Sequence, residues 1–253
     1  MAHSVRRTLA ALLLLGVAVA ILASLGAWQL RRADERRALL SAIEAGRSRP
    51  PLSLSPRTPA ADLQPWRPAQ ATGRWLDQYS VLLQNRNQEG RPGYWLATPL
   101  LFDPPGHGAV LVLRGWLPRT PGQSVASLPP APAGLQRVSG ELAARVPRLF
   151  ELWSLGGSRP DQLPGTLPAA DGAVPHVQNL ELTAYARATG LDLLPAVLMQ
   201  TSGQDTLVRD WPQPSVDYNQ NQGYALQWFS FAGIAAIAWV VVAWRGLRRR
   251  ASR

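Results

Sequence analysis

Tyr-Ala-Leu-Gln-Trp-Phe-Ser-Phe-Ala-Gly-Ile-Ala-Ala-Ile-Ala-Trp-Val-Val-Val-Ala-Trp runs from Tyr224 to Trp244 without a charged residue. As a helix rising about 1.5 Å per residue, this run matches the roughly 30 Å hydrocarbon core of a bilayer. It predicts a transmembrane helix. Arg245, Arg248, Arg249, Arg250 and Arg253 follow it, whereas the flank before it, Asp205 to Gly223, holds only Arg209. Basic residues collect on the cytoplasmic side of a span, so the asymmetry predicts a cytoplasmic C-terminus.

A second uncharged run lies at the other end, Thr8 to Leu30, with Leu9–Leu25 almost wholly apolar and Trp28 where an indole suits the membrane interface. A cleavable signal peptide is the rival reading. Its apolar core should be shorter, and Ser24-Leu25-Gly26 is a weak cleavage site, so an uncleaved anchor is expected. Two spans bring the chain back to its starting side. Both termini are therefore expected in the cytoplasm and the middle outside, although Arg31, Arg32, Arg36 and Arg37 run against the charge rule at the first helix. No Arg-rich presequence fits before Thr8, which makes the outer compartment a bacterial periplasm. The expected division is 1–30 (cytoplasmic N-terminus and first span), 31–223 (periplasmic domain) and 224–253 (second span and basic cytoplasmic tail).

The net charge of +10 follows the same plan. All 26 basic residues are Arg, and seven lie outside the apolar runs, namely Arg6, Arg7 and the five after Trp244. The remaining Arg nearly balance the 16 acids. Membrane topology thus accounts for the basic excess, and no nucleic-acid partner is expected. With no Cys there is no disulfide, redox pair or thiolate metal site, and with only Met1 and Met199 there is no Met-rich copper site. Without Lys there is no Schiff-base nucleophile and no phosphate-loop lysine.

Between the spans, Ala33–Ala45 has helical spacing with Gly46 as a stop, and Arg47–Pro68 reads as a Pro-rich connector. Strand-like runs follow at Ala69–Trp75, Ser80–Asn85, Tyr94–Phe102, Ala109–Trp116 and Gln136–Ala143. Turn chemistry separates them at Glu89–Gly93, Asp103–Gly106 and Pro129–Gly134. Gly156–Pro175 reads as a long loop, Leu180–Thr189 as a helix capped by Asn179 and stopped by Gly190, and Pro195–Thr201 as a last strand. The expected fold class is an α+β membrane protein in which two terminal helices flank an antiparallel β-sheet or small β-barrel with short helices.

Candidate chemistry is sparse. His3, His107 and His176 make no metal-ligand spacing with one another, and no Gly-x-Ser-x-Gly elbow occurs, so nothing argues for an enzyme. Asn85-Arg86 and Arg114-Gly115-Trp116 each put an Arg at the end of an apolar strand. Such an Arg clamps an anionic group through its planar fork, or it pairs with an acid and covers apolar surface. The polar cluster Tyr218 to Gly223 enters the second span directly, and Tyr224, Trp228 and Phe231 share a helical face with Gln227 at its edge. That face is either a cap plus an aromatic belt, or a rim for an amphipathic ligand or a partner's transmembrane helix.

The order of these motifs resembles the surfeit locus protein 1 family, assembly factors of haem–copper cytochrome c oxidase. The resemblance is carried by Gly26-Ala27-Trp28-Gln29 with Arg32, Asn85-Arg86, Gly93-Tyr94-Trp95, Thr98-Pro99-Leu100, Val112 to Pro118, and Gly223 to Phe229. It implies a chaperone of the respiratory chain in the bacterial inner membrane. Its partners would be cytochrome c oxidase subunit I and other assembly factors, and haem a would be a transient cofactor delivered to subunit I. It makes Arg86, Arg114, Trp116, Asn221, Tyr224 and Trp228 candidate contacts for haem or client. Members of that family commonly carry a His shortly before the Tyr-Ala pair, where this chain has Asn221. A membrane-anchored envelope adaptor or sensor that holds a protein partner is the alternative function.

Overall fold

The computed structural model describes residues 2–103, 108–119, 128–150 and 163–251, with residues 2–5 and 249–251 as backbone only. His107, most of the turn after Asp103, positions 156–162 of the expected loop, and Arg253 lie outside the described residues. So do the side chains of His3, Arg249 and Arg250. The chain divides into two compact units, Met1–Ala42 with Gln213–Arg253, and Ile43–Pro212.

The first unit is an antiparallel helix pair. Helix α1, Ala2–Arg47, is one uninterrupted helix of 46 residues. The span and the separate helix expected at Ala33–Ala45 are joined because neither Gly nor Pro stands between Leu30 and Ala33. Gly46 does not stop it; Gly46 packs against Trp66, and the helix ends one residue later, before Pro50 and Pro51. Helix α3, Tyr218–Ala251, starts six residues before the expected span. Asp217 explains the start, since its Oδ1 accepts the backbone N–H of Asn219 (3.1 Å) and Gln220 (3.4 Å).

The helices meet along small residues. Gly26 and Ala225 are buried, and a β-carbon added at Gly26 would lie 2.9 Å from the Phe229 ring. Farther along, Gly16 faces Trp239, whose indole N–H donates to Leu12 O at 2.9 Å. Small residues let helices approach closely where lipid gives no hydrophobic drive for pairing. The outward sides carry Leu13, Leu14, Ile234 and Ile237, all more than half exposed. Both helices are long and apolar enough to cross a bilayer, which fits a membrane-anchored protein.

The second unit is a closed sheet. Its strands are β1 (Leu52–Leu54), β2 (Pro68–Trp75), β3 (Val81–Gln88), β4 (Arg91–Phe102), β5 (Gly108–Pro118), β6 (Gln136–Ala143), β7 (His176–Val177) and β8 (Asp192–Gln200), with helix α2 (Leu182–Thr189) before β8. Strands β2, β6, β8, β5 and β4 form a five-stranded ring, closed where Gly73–Trp75 pair with Leu100–Phe102. The barrel alternative is therefore the one adopted, but its pairing is mixed. Strand β5 runs parallel to β8, β1 to β2 and β3 to β7.

Side-chain alternation sorts the core. Ala71, Leu100, Val112, Val138, Ala196 and Leu198 come from all five ring strands and fill the barrel interior. Trp95, Leu111, Leu113, Val197 and Met199 point the other way, against Tyr185 and Ala188 of α2 and against Trp211. Strands β4, β5 and β8 are thus buried on both faces, which is why they read as near-continuous apolar runs. Helix α2 ends at Gly190 in the left-handed conformation, as expected, but its N-cap is Glu181. The expected cap, Asn179, instead takes the N–H of Leu149 (2.8 Å) and donates to Leu149 O (2.9 Å).

Candidate functional site

The two candidate Arg residues are interior residues, and their strands continue past them. Arg86 is 3% exposed. Its guanidinium lies over the Trp95 ring, 4.4 Å from the centroid, and Nη2 donates to Gln178 O at 3.0 Å. No acid among the described residues pairs with it, and burial pulls its pKa down to about 10, so it stays charged at neutral pH. Arg114 is 1% exposed and lies over Trp75 at 5.3 Å. It donates to Pro129 O (3.2 Å) and Pro130 O (3.4 Å), and it reaches Asp205 at 3.4 Å and Asp77 at 3.7 Å. Burial lowers its pKa, while the two acids oppose the shift. Asp205 also holds Arg209 and takes the backbone N–H of Leu207 at 3.2 Å.

Trp116 is a core residue, 3% exposed, with its indole N–H on Arg86 O at 2.7 Å. It therefore ties β5 to β3 and presents no open face to a ligand. Arg86 and Arg114 share no hydrogen-bond partner, so they do not form one clamp. The geometry favours the structural reading for both, with stacking for Arg86 and acid pairing for Arg114. Replacing Arg86 with Lys should cost about 1–3 kcal/mol in unfolding free energy, because an ammonium ion neither stacks flat on Trp95 nor keeps the planar fork. Thermal melting of the purified chain tests this; an unchanged midpoint would mean that the stack contributes nothing.

In the helical unit, Asn221 Nδ2 donates to Gln29 Oε1 at 2.6 Å, which joins α3 to α1 through two amides. Asn221 Oδ1 is buried without a hydrogen-bond partner. Trp228 is half-buried at the border of the helix seam and meets Phe231 edge-to-face at 6.2 Å. Tyr224 is exposed. Asn221 thus lies in the seam, Trp228 on its border and Tyr224 outside it.

These residues do not fit an axially ligated haem. Asn221 offers a neutral amide oxygen where imidazole nitrogen is the strong iron donor, and its Nδ2 is committed to Gln29. His176 stands in β7, edge-to-face with Tyr94 at 5.4 Å, and Met199 is a core residue of the sheet unit. The described residues contain no cluster of three or more His, Cys, Asp or Glu that could hold a metal ion.

Gln29 was visible in the first-helix motif, but its pairing with Asn221 was not. Asp205, Arg209 and Gln200 gave no signal, because each acquires its role from partners distant in sequence or from burial.

Comparison with known proteins agrees with this architecture. The SURF1 family model matches residues 16–233. A SURF1-like protein of Rickettsia felis is 34% identical over 98 residues, covering 38% of this chain and 41% of that protein. An uncharacterized SURF1-like protein of Mycobacterium tuberculosis is 26% identical over 231 residues, covering 89% and 79%. The cytochrome oxidase assembly protein SHY1 of Saccharomyces cerevisiae is 33% identical over 96 residues, covering 37% and 24%. The alignments thus span less than half of the Rickettsia and yeast proteins. The family match runs from within the first apolar helix, through the whole barrel, into the second, and the chain belongs to the SURF1 family.

Proposed function

We propose that this chain is a non-enzymatic assembly factor for cytochrome oxidase, anchored in a bacterial inner membrane with its barrel domain in the periplasm. The observation that carries the reading is the family match across the two-helix and barrel plan, together with the yeast relative being a cytochrome oxidase assembly protein. Loss of the protein should lower cytochrome oxidase activity severalfold and leave an oxidase outside the haem–copper class untouched. Added copper should not restore activity, because a chain with no Cys and two Met is no copper carrier. Full rescue by copper would place the defect at another step.

The client on this reading is subunit I, at the stage when haem a enters it. Haem a supplies the oxidase with its redox centre once bound there. The chain's own part is to hold the client at the Trp228 border without ligating the iron. Trp228→Ala should then impair oxidase maturation and leave membrane insertion unchanged, since the remaining span is still apolar. Wild-type oxidase activity in that variant would leave Trp228 as part of an aromatic belt. Purification with and without haem a biosynthesis, read by visible absorption, tests whether the chain carries haem at all.

The topology rests on the Arg-rich flank after Trp244. Reporter fusions should place both termini in the cytoplasm and residues near Pro130 in the periplasm. A periplasmic C-terminus would overturn the compartment assigned to the barrel.

A further inference from the structure

A groove of about 570 Å³ opens in the sheet unit beside Arg114, lined also by Trp75, Arg137, Gln200 and the Ser202–Asp205 loop. Two of its lining side chains are built and buried yet incompletely partnered. Arg114, 1% exposed, has Nε without an acceptor. Gln200, 7% exposed, donates Nε2 to Ser202 O at 2.6 Å, which fixes the amide orientation, and its Oε1 has no donor. Buried polar groups are costly to leave unpaired, so the wall of the groove carries one spare donor and one spare acceptor just beneath its surface.

The sheet supplies a third feature. Pairing between β6 and β8 stops at Gly140 and Gln200, with one last bond from Thr201 N to Ser139 O at 3.1 Å. The chain then leaves through Ser202–Asp205. Alternate residues of an antiparallel strand turn their peptide groups to the same side, so Arg137 turns its N–H and C=O the way Ser139 does. No strand among the described residues covers that edge of Gln136–Val138. Charge completes the description. Among the described residues, Arg114 and Arg137 line the groove against the single acid Asp205, and Arg137 is exposed without an ion pair.

We propose that this groove binds an extended peptide segment carrying a carboxylate side chain, laid along the open edge of β6. The carboxylate meets the exposed Arg137, with the buried charge of Arg114 behind it, and the peptide's main chain meets the open N–H and C=O of Arg137. Added strands of this kind gain affinity from main-chain bonds and selectivity from side-chain pockets. A simple anion or an ionised dicarboxylate cannot pair with both the N–H and the C=O that Arg137 turns to the open edge, which is why a peptide fits better. The proposal does not depend on the oxidase reading, and either can fail alone.

The test uses the full chain in detergent and two pools of fluorescein-labelled hexapeptides. One pool has Glu at a central position and the other Gln; the remaining positions are drawn from Val, Thr, Ala and Leu. Anisotropy should show the Glu pool binding at least tenfold more tightly. Arg137→Glu should lower that binding at least tenfold, and Arg137→Lys should retain most of it, with both variants folded because Arg137 is exposed. Equal binding of the two pools would overturn the proposal. So would an unchanged affinity in Arg137→Glu, or displacement of the Glu pool by inorganic phosphate or succinate at equal concentration.

Discussion

Gly93→Val should abolish the folded barrel. Gly93 lies in β4 opposite Arg86 of β3 and Pro118 of β5. A β-carbon there would run into Leu117 O and the indole of Trp116. Neither gives way. Leu117 O belongs to the β4–β5 ladder, and the indole is pinned by its 2.7 Å hydrogen bond to Arg86 O in a site only 3% exposed. Overpacking of this kind, with backbone on one side and a held ring on the other, should cost more than about 4 kcal/mol. The near-ultraviolet dichroism of the buried Trp residues and resistance to protease should both be lost. The control is Gly90→Asn in the β3–β4 turn. Gly90 has φ +78° and open space around it, and Asn tolerates that conformation, so the variant should remain folded. A Gly93→Val protein that melts like the wild type would mean that β4 and β5 have room between them for a side chain at position 93.

Asp205→Ala should be the most damaging loss of charge in the sheet unit. This carboxylate receives Arg209 and the N–H of Leu207 on one oxygen and Arg114 on the other, and its side chain is only 15% exposed. Its removal leaves two mostly buried guanidinium groups short of their acid. Breaking a buried pair from one side costs about 3–5 kcal/mol, and about 2–4 °C of melting temperature accompanies each kcal/mol in a domain of this size. Asp77→Asn is the comparison. Asp77 is half exposed and 3.7 Å from Arg114, so its charge should contribute less than about 1 kcal/mol. Equal effects of the two substitutions would show that Arg114 draws on both acids alike.

Local patterning gave most elements and few of their connections. Strand β6 has the bounds expected from its sequence, because its flanks change character at both ends. Strand β4 begins three residues earlier than expected, since Arg91-Pro92-Gly93 resembles turn chemistry while the turn itself is only Glu89–Gly90, both at positive φ. Strands β1 and β7, of three and two residues, are too short for any periodicity to register. The parallel pairing of β5 with β8 joins segments about eighty residues apart, and nothing local announces it. The same holds for the sites. An Arg in an apolar strand was visible at position 114, but the nearer of its two acids, Asp205, lies 91 residues away in sequence. Asn179 has the right chemistry for a helix cap and bonds Leu149 instead, because a side chain suited to capping is equally suited to fixing a loop. Asn221 is legible as part of the polar cluster ahead of the second span, whereas its place inside α3 and its amide partner Gln29 required the helix pairing to be seen.

The strand order has a consequence for the newborn chain. Strand β8 fills the gap between β5 and β6, so the ring stays open until residue 200 has been made. The hairpins β3–β4 and β4–β5 form from neighbours, but β5 and β6 each wait with a bare edge for a strand that arrives much later. Helix α3 begins only eighteen residues after β8 ends. Barrel closure and delivery of the second helix to the membrane are therefore nearly simultaneous events in synthesis. A pause in translation between β6 and β8 exposes two apolar sheet edges, and a chain released there should aggregate rather than wait.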